Sequence, residues 1–134
     1  MKIYNALILN DYPGKHYAGM VYRGDKILET RMRMFKYEGD LIICCGNKSV
    51  TGRAGKALCL VHFGQGRPMV PADEKDAKIE WAKGRIVYPL TNFRYFNKLF
   101  DFKYHRVSGS WQGIFQIALP DELSILKNES TITI

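Results

Sequence analysis

Short apolar runs, each followed by a turn with glycine or proline, constrain the fold of this chain more than any other sequence feature. Such runs are typical of strands when they alternate or are rich in β-branched and aromatic residues. The predicted strands are residues 3–9, 26–32, 41–45, 57–63, 85–90, 93–96 and 113–119. Residues 15–22 and 73–83 have helical character, and Gly24 and Gly84 follow them as stop signals. We therefore predict an α+β fold, a small mixed β-barrel with two or three short flanking helices.

The length of 134 residues indicates one domain. Its pattern ends near Pro120, so we predict a domain over residues 1–120 and a C-terminal tail or edge strand over residues 121–134. No apolar run approaches the roughly 20 residues of a membrane helix. The first ten residues lack a small-residue cleavage site and are interpreted as a strand, so we expect a cytoplasmic protein without a membrane partner.

The three cysteines, Cys44, Cys45 and Cys59, all lie in apolar runs. An odd count with two adjacent members is poor geometry for disulfides, so reduced core cysteines are expected. The three histidines form no paired motif with them, and we predict neither a metal site nor a cofactor.

Positive charge is concentrated in the first half of the chain. The net charge is +7, and the window from Lys15 to Lys56 holds nine Lys or Arg residues against four acids. Such a concentration favours polyanions, nucleic acid first. A basic surface that serves only solubility is the alternative.

The loop at residues 46–57 has the glycine content and the Gly55-Lys56 pair of a phosphate-binding Walker A motif. Val50 stands where the first glycine is needed, and Ala57 replaces the metal-binding hydroxyl residue. An ATPase is therefore not expected. The loop is either a phosphate cradle of another kind or a hairpin connection.

Four charged residues surround one predicted strand. Glu29, Arg31 and Arg33 share a face because side chains alternate along a strand, while Lys26 has the other parity unless the preceding turn rotates it. Two arginines beside a glutamate are unfavourable to bury unless they are paired. This face is therefore either solvated or a site.

The segment Arg23-Gly24-Asp25-Lys26-Ile27-Leu28-Glu29-Thr30-Arg31, followed by Tyr37-Glu38-Gly39-Asp40-Leu41-Ile42-Ile43, resembles the signature of the ASCH family. The shared pattern is a glycine-ended helix, a Lys-x-x-Glu-x-Arg strand, and a glycine-marked turn before an apolar strand. Residues 55–61 and 107–117 are similar to later strands of that family, and the likeness spans roughly residues 13–119.

The resemblance implies a PUA-like barrel with a cleft beside the first helix that binds RNA or nucleotides, with Lys26, Glu29 and Arg31 on the cleft motif. Some family members are amidohydrolases that remove acetyl from N4-acetylcytidine, and others have been assigned ribonuclease activity. If this chain is an enzyme, Lys26 and Glu29 are the expected catalytic pair. Glu29 stands where the amidohydrolases have a nucleophilic hydroxyl, and Thr30 is one position away, which turns it to the opposite face of a strand.

Aromatic residues are interleaved with basic ones between residues 85 and 111, as in proteins that stack unpaired bases. Most of these rings are expected in the core, and Tyr95 and Trp111 are the predicted exposed ones. The predicted ligand-binding residues are Lys26, Glu29, Arg31, Arg33, Lys48, Ser49, Tyr95 and Trp111. Three functions stay open: an RNA- or nucleotide-binding module, a small hydrolase acting on a modified nucleoside or RNA, and a domain that docks an acidic protein.

Overall fold

The computed structural model describes residues 2–125, and in this range the chain is a mixed α+β protein dominated by one sheet. The strands are β1 (Ile3–Leu9), β2 (Asp11–Tyr12), β3 (Lys15–His16), β4 (Leu28–Arg31), β5 (Gly39–Cys45), β6 (Lys56–Phe63), β7 (Arg67–Pro68), β8 (Ile86–Asp101), β9 (Arg106–Gly109) and β10 (Phe115–Ala118). The helices are α1 (Tyr17–Tyr22) and α2 (Glu74–Ala77), and 3₁₀ turns occupy Pro71–Asp73 and Phe102–His105. The α+β class predicted from the sequence is confirmed.

The main sheet has the order β4-β8-β6-β5-β1-β10-β9, and β7 pairs with β8. Neighbouring strands are antiparallel except for β1 and β5, which are parallel. Within residues 2–125 the outer strands β4 and β9 are not paired with each other, so the sheet is open and not a closed barrel.

The core lies on both faces of the central strands. Side chains of β5 alternate between two apolar clusters, with Leu41, Ile43 and Cys45 in one and Ile42 and Cys44 in the other. A strand covered on both faces is a continuous apolar run rather than an alternating one, which is why residues 41–45 are apolar throughout. All three cysteines are free and buried, as predicted.

The helix predicted over residues 15–22 begins later, at Tyr17. Lys15 and His16 instead pair with β2 in a small hairpin around Gly14, which has φ 73°. The predicted helix end is confirmed, since Gly24 has φ 82° and its N–H donates to the Val21 carbonyl at 2.9 Å.

The helix predicted over residues 73–83 is wrong in length, because α2 ends at Ala77 and Lys78 turns left-handed at φ 59°. The last carbonyls of α2 are used by another segment. Ile27 N donates to Asp76 O at 3.0 Å, and Lys26 Nζ donates to Ala77 O. These long-range donors replace the next helical turn and tie α2 to the start of β4.

The two strands predicted at residues 85–90 and 93–96 are one strand, β8, which also continues through residues 97–101. Its first part pairs with β4, and its later part, from Leu90, pairs with β6. Asn92, with φ 49°, lies near a register shift where the partner changes, and asparagine tolerates this left-handed geometry.

Part of the predicted tail packs on this strand. Ile125 bridges to Phe96, Asn97 N donates to Ser124 O at 3.0 Å, and Leu123 is buried. The remaining tail residues, 126–134, lie outside the described residues. No helix within residues 2–125 is long and apolar enough to cross a membrane.

Candidate functional site

A pocket of about 200 Å³ lies between β1 and β4, where main-chain pairing of the sheet stops. Strand β10 pairs with β1 only as far as Ala6, so the later half of β1 has β5 as its single strand neighbour among the described residues. Arg31 of β4 crosses the gap and donates from Nη2 to the Ile8 carbonyl at 2.9 Å. The pocket is lined by Ile8, Leu9, Asn10, Tyr12, Tyr17, Lys26, Glu29, Thr30, Arg31 and Ile79.

Lys26 is the most unusual residue of this pocket, because its charged side chain is only 2% exposed. Its Nζ donates to Ala77 O, lies 4.0 Å from Glu29 Oε1, and stands 5.3 Å from the centre of the Tyr17 ring. Burial lowers the pKa of the Lys26 ammonium to about 8; the nearby Glu29 carboxylate opposes this shift, and Arg31 adds to it. A buried amine of this kind changes its charge near pH 8, lower than an exposed lysine does.

Glu29 is 3% exposed and lies between the two basic residues. Its Oε2 accepts a hydrogen bond from Arg31 Nε at 2.8 Å, while Oε1 faces Lys26. The Arg31 side chain is one-quarter exposed. The pocket therefore offers two cationic donors and one carboxylate acceptor at a single wall, and the burial of Lys26 and Glu29 strengthens the interaction between them.

The start of α1 and the loop after β5 are fixed by a second buried carboxylate, Asp11, which is 1% exposed. It accepts from Gly19 N at 2.9 Å, Thr51 Oγ1 at 2.5 Å and Arg53 Nε at 3.0 Å. Burial acts to raise the pKa of Asp11, but the hydrogen bonds from Thr51, Gly19 and Arg53 outweigh it and hold the pKa below its usual value. Arg53 is thus a structural partner of Asp11.

An open groove of about 750 Å³ adjoins the pocket and shares Ile8, Asn10 and Tyr12 with it. The other residues that line this groove are Gly46, Asn47, Lys48, Phe102, Lys103, Tyr104, Trp111 and Gln112. Two predicted binding residues, Lys48 and Trp111, therefore lie next to the pocket of Lys26 rather than inside it.

Three other predicted binding residues lie outside both cavities. Ser49 is turned toward Asp11, whose N–H donates to its Oγ at 2.9 Å. Arg33 is exposed and lies over the Phe35 ring at 5.3 Å. Tyr95 is half-buried, donates from its hydroxyl to Tyr22 O at 2.9 Å, and packs edge-on against the Tyr22 ring.

The sequence analysis did not identify the aromatic and apolar residues that form part of the pocket wall. Tyr12 and Tyr17 enter the pocket from the hairpin and α1, and Ile79 enters because α2 ends early. No local pattern marks these three residues, since each arrives through a tertiary contact. Tyr104, which lines the groove, lies in the segment where aromatic and basic residues are interleaved. Its basic neighbour Lys103 could have indicated from the sequence that this ring is a binding residue.

Among residues 2–125 no group of three His, Cys, Asp or Glu side chains is placed to hold a metal ion. No protein-family model matches the chain, and no curated protein is significantly similar to it.

Proposed function

We propose that this chain is an ASCH-type domain of PUA-like fold that binds RNA or a nucleotide in the pocket between β1 and β4. The observation that carries the proposal is the convergence of Lys26, Glu29 and Arg31 on one pocket, with two of the three almost fully buried. Buried charges are unfavourable unless a fold needs them or a ligand uses them. The side chain of Arg31, rather than main-chain pairing, bridges the gap between β1 and β4.

The pocket suits the polar edge of a base. A base edge presents hydrogen-bond donors and acceptors side by side, and the wall of the pocket presents donors from Lys26 and Arg31 beside acceptors of Glu29. The net charge of +7 favours approach of the phosphates and makes binding depend on salt.

The proposal is tested by replacing Arg31 with alanine and measuring affinity for uridine and cytidine nucleotides and for short RNAs. Loss of a charge-assisted hydrogen bond predicts a decrease of about tenfold or more. Arg94→Ala is the matched control, because Arg94 also pairs with one carboxylate, Asp40, at 2.7 Å but lines neither cavity. Thermal unfolding of both variants separates lost binding from lost structure.

Equal affinity in wild type and Arg31→Ala, with both folded, contradicts the pocket assignment. An affinity that does not fall between low and high salt contradicts the electrostatic part of the proposal.

A second candidate function, a hydrolase acting on a modified nucleoside or RNA, is favoured by one observation. The pKa of Lys26, lowered by burial to about 8, places this amine near the range in which a side chain exchanges protons at neutral pH, with Glu29 4.0 Å away. Turnover of N4-acetylcytidine or of a short RNA, lost in Lys26→Met, supports this function. Binding without turnover on either substrate favours the binding module.

A further inference from the structure

The groove beside the pocket has the chemistry of a stacking surface for unpaired bases. Tyr104 is 74% exposed, Trp111 39% and Tyr12 50%, which is unusual for large rings in a chain whose other aromatic residues mostly pack in the core. The rings line one continuous cavity, with Lys48 and Lys103 beside them. Aromatic faces next to cations are the arrangement by which proteins hold single strands.

Trp111 is held as a rigid platform. Its ring packs edge-on against the buried rings of Phe115, at 4.8 Å between centroids, and of Phe102, at 5.6 Å. Arg106 stands over the same indole at 4.8 Å. A ring fixed by its neighbours loses little side-chain entropy when a base stacks on it.

The sizes of the two cavities favour a ligand longer than one nucleotide. A pocket that encloses a whole small ligand has roughly 300–1,000 Å³. The Lys26 pocket, at about 200 Å³, is below this range, while the groove that shares Ile8, Asn10 and Tyr12 with it has about 750 Å³. A group seated in the pocket therefore has a path into the groove without leaving the protein surface.

The charges of the groove agree with this ligand. Its lining contains Lys48 and Lys103 and no carboxylate among the described residues. Lys103 Nζ lies 5.1 Å from the centre of the Tyr104 ring, so a phosphate and a stacked base would find their partners side by side.

We propose that the groove binds the nucleotides next to the one whose base lies in the pocket, so that the protein holds a single-stranded nucleic acid of at least three consecutive nucleotides, with two bases stacked on Trp111 and Tyr104. This inference rests on the proposed function for its first nucleotide. A duplex is expected to bind the groove more weakly than a single strand, because bases inside a duplex are covered by their stacked neighbours.

The experiment uses the full chain and a series of uridine oligomers from the mononucleotide to the hexanucleotide, as RNA and as DNA, with a blunt duplex as comparison. Affinity is expected to rise about a hundredfold on going from one to three nucleotides, because each of the two stacked bases adds about tenfold. Trp111→Ala and Tyr104→Ala are expected to lower the affinity for the longer oligomers by about tenfold each and for the mononucleotide much less. Trp81→Ala is the control, because Trp81 is 43% exposed and lines neither cavity.

Fluorescence gives an independent measurement, since the chain has only two tryptophans. Trp81→Phe leaves Trp111 as the single indole, and base stacking is expected to quench it as oligomer is added; the converse variant, Trp111→Phe, is expected to show no quenching. Tyr104→Ala keeps the test valid if Trp111→Ala unfolds, because the Tyr104 side chain is mostly in solvent.

The outcomes separate the two proposals. A mononucleotide that binds as tightly as the hexamer, with Trp111 unquenched, overturns the groove and leaves the pocket standing. Absence of binding by every oligomer and by the mononucleotide overturns both. Equal binding of duplex and single strand overturns stacking, and a preference for RNA over DNA of the same length identifies which single strand is held.

Discussion

Replacing Lys26 with methionine tests whether the buried charge of Lys26 lowers the free energy of unfolding. Methionine is unbranched and similar in length, and Glu29 keeps its hydrogen bond from Arg31 at 2.8 Å in the variant. The pKa of Lys26 falls by burial from the usual 10.5 to about 8. At about 1.4 kcal/mol per pKa unit, the charged form weakens the folded state by about 3 kcal/mol at neutral pH.

Removing the charge should therefore stabilise the variant. The variant also loses the hydrogen bond from Lys26 Nζ to the Ala77 carbonyl, which offsets about 1–2 kcal/mol of this stabilisation. We therefore expect Lys26→Met to be about as stable as wild type at pH 7, or more stable by about 1–2 kcal/mol, while it binds nucleotide more weakly.

The sign of the pH dependence follows from linkage. The folded pKa of Lys26 is below the unfolded one, so between about pH 8 and 10.5 the unfolded chain holds the proton and the folded chain releases it. Wild-type stability attributable to this residue must rise over that window. Relative to Lys26→Met, wild type should gain up to about 3 kcal/mol as the pH rises from 7 to 10.5.

Urea unfolding of both proteins at several pH values measures this difference, and subtraction cancels the groups that titrate in both. Lys98→Met, at an exposed position of β8, is the reference for removing one lysine. A stability difference that is constant with pH, or a Lys26→Met protein several kcal/mol less stable than wild type at pH 7, refutes the reasoning.

Three further predictions concern stability and reactivity. Arg67 donates to both carboxylate oxygens of Asp73 at 2.8 Å and holds the pKa of Asp73 at about 2. Because Arg67 is half-exposed, Asp73→Asn should lower the free energy of unfolding by only about 1 kcal/mol at pH 7, and acid-unfolding experiments should show this difference vanish as the pH falls from about 4 toward 2. The hydroxyl of Tyr88 accepts a hydrogen bond from Phe35 N at 2.7 Å. Tyr88→Phe should therefore lower the free energy of unfolding by about 2 kcal/mol, as measured by urea unfolding. An unchanged urea midpoint would contradict this prediction. Burial raises the pKa of Cys59 to about 12 and also raises the pKa values of the other two thiols. A disulfide reagent near pH 8 should therefore modify no thiol in the folded protein and all three after unfolding. Rapid labelling of the folded protein would contradict this, because it would show that a thiol is accessible.

Strand positions were the part of the fold most open to sequence reasoning. The run at residues 41–45 is apolar at every position because both faces of β5 are covered, and such runs signal a buried strand without knowledge of its neighbours. The end of α1 was equally readable, since Gly24 has the positive φ that glycine adopts without strain.

Helix α2 shows where such reasoning stops. Residues 73–83 have the composition of a surface helix, yet Lys26 Nζ and Ile27 N take the carbonyls of Ala77 and Asp76. The competing donors come from a segment about fifty residues earlier in the chain, and no window of local sequence contains them. The early end of α2 is also what brings Ile79 into the pocket wall.

The sequence by itself determined that positive charge, a Lys-x-x-Glu-x-Arg segment and an apolar framework occur together in one small α+β chain, because composition and alternation are local properties. The tertiary structure decided that Lys26 and Glu29 are buried at the gap between β1 and β4, that Ser49 serves Asp11, and that Tyr95 lies elsewhere. Burial and the pKa it shifts depend on which strands are neighbours in space, and that order is set by the packing of the whole sheet.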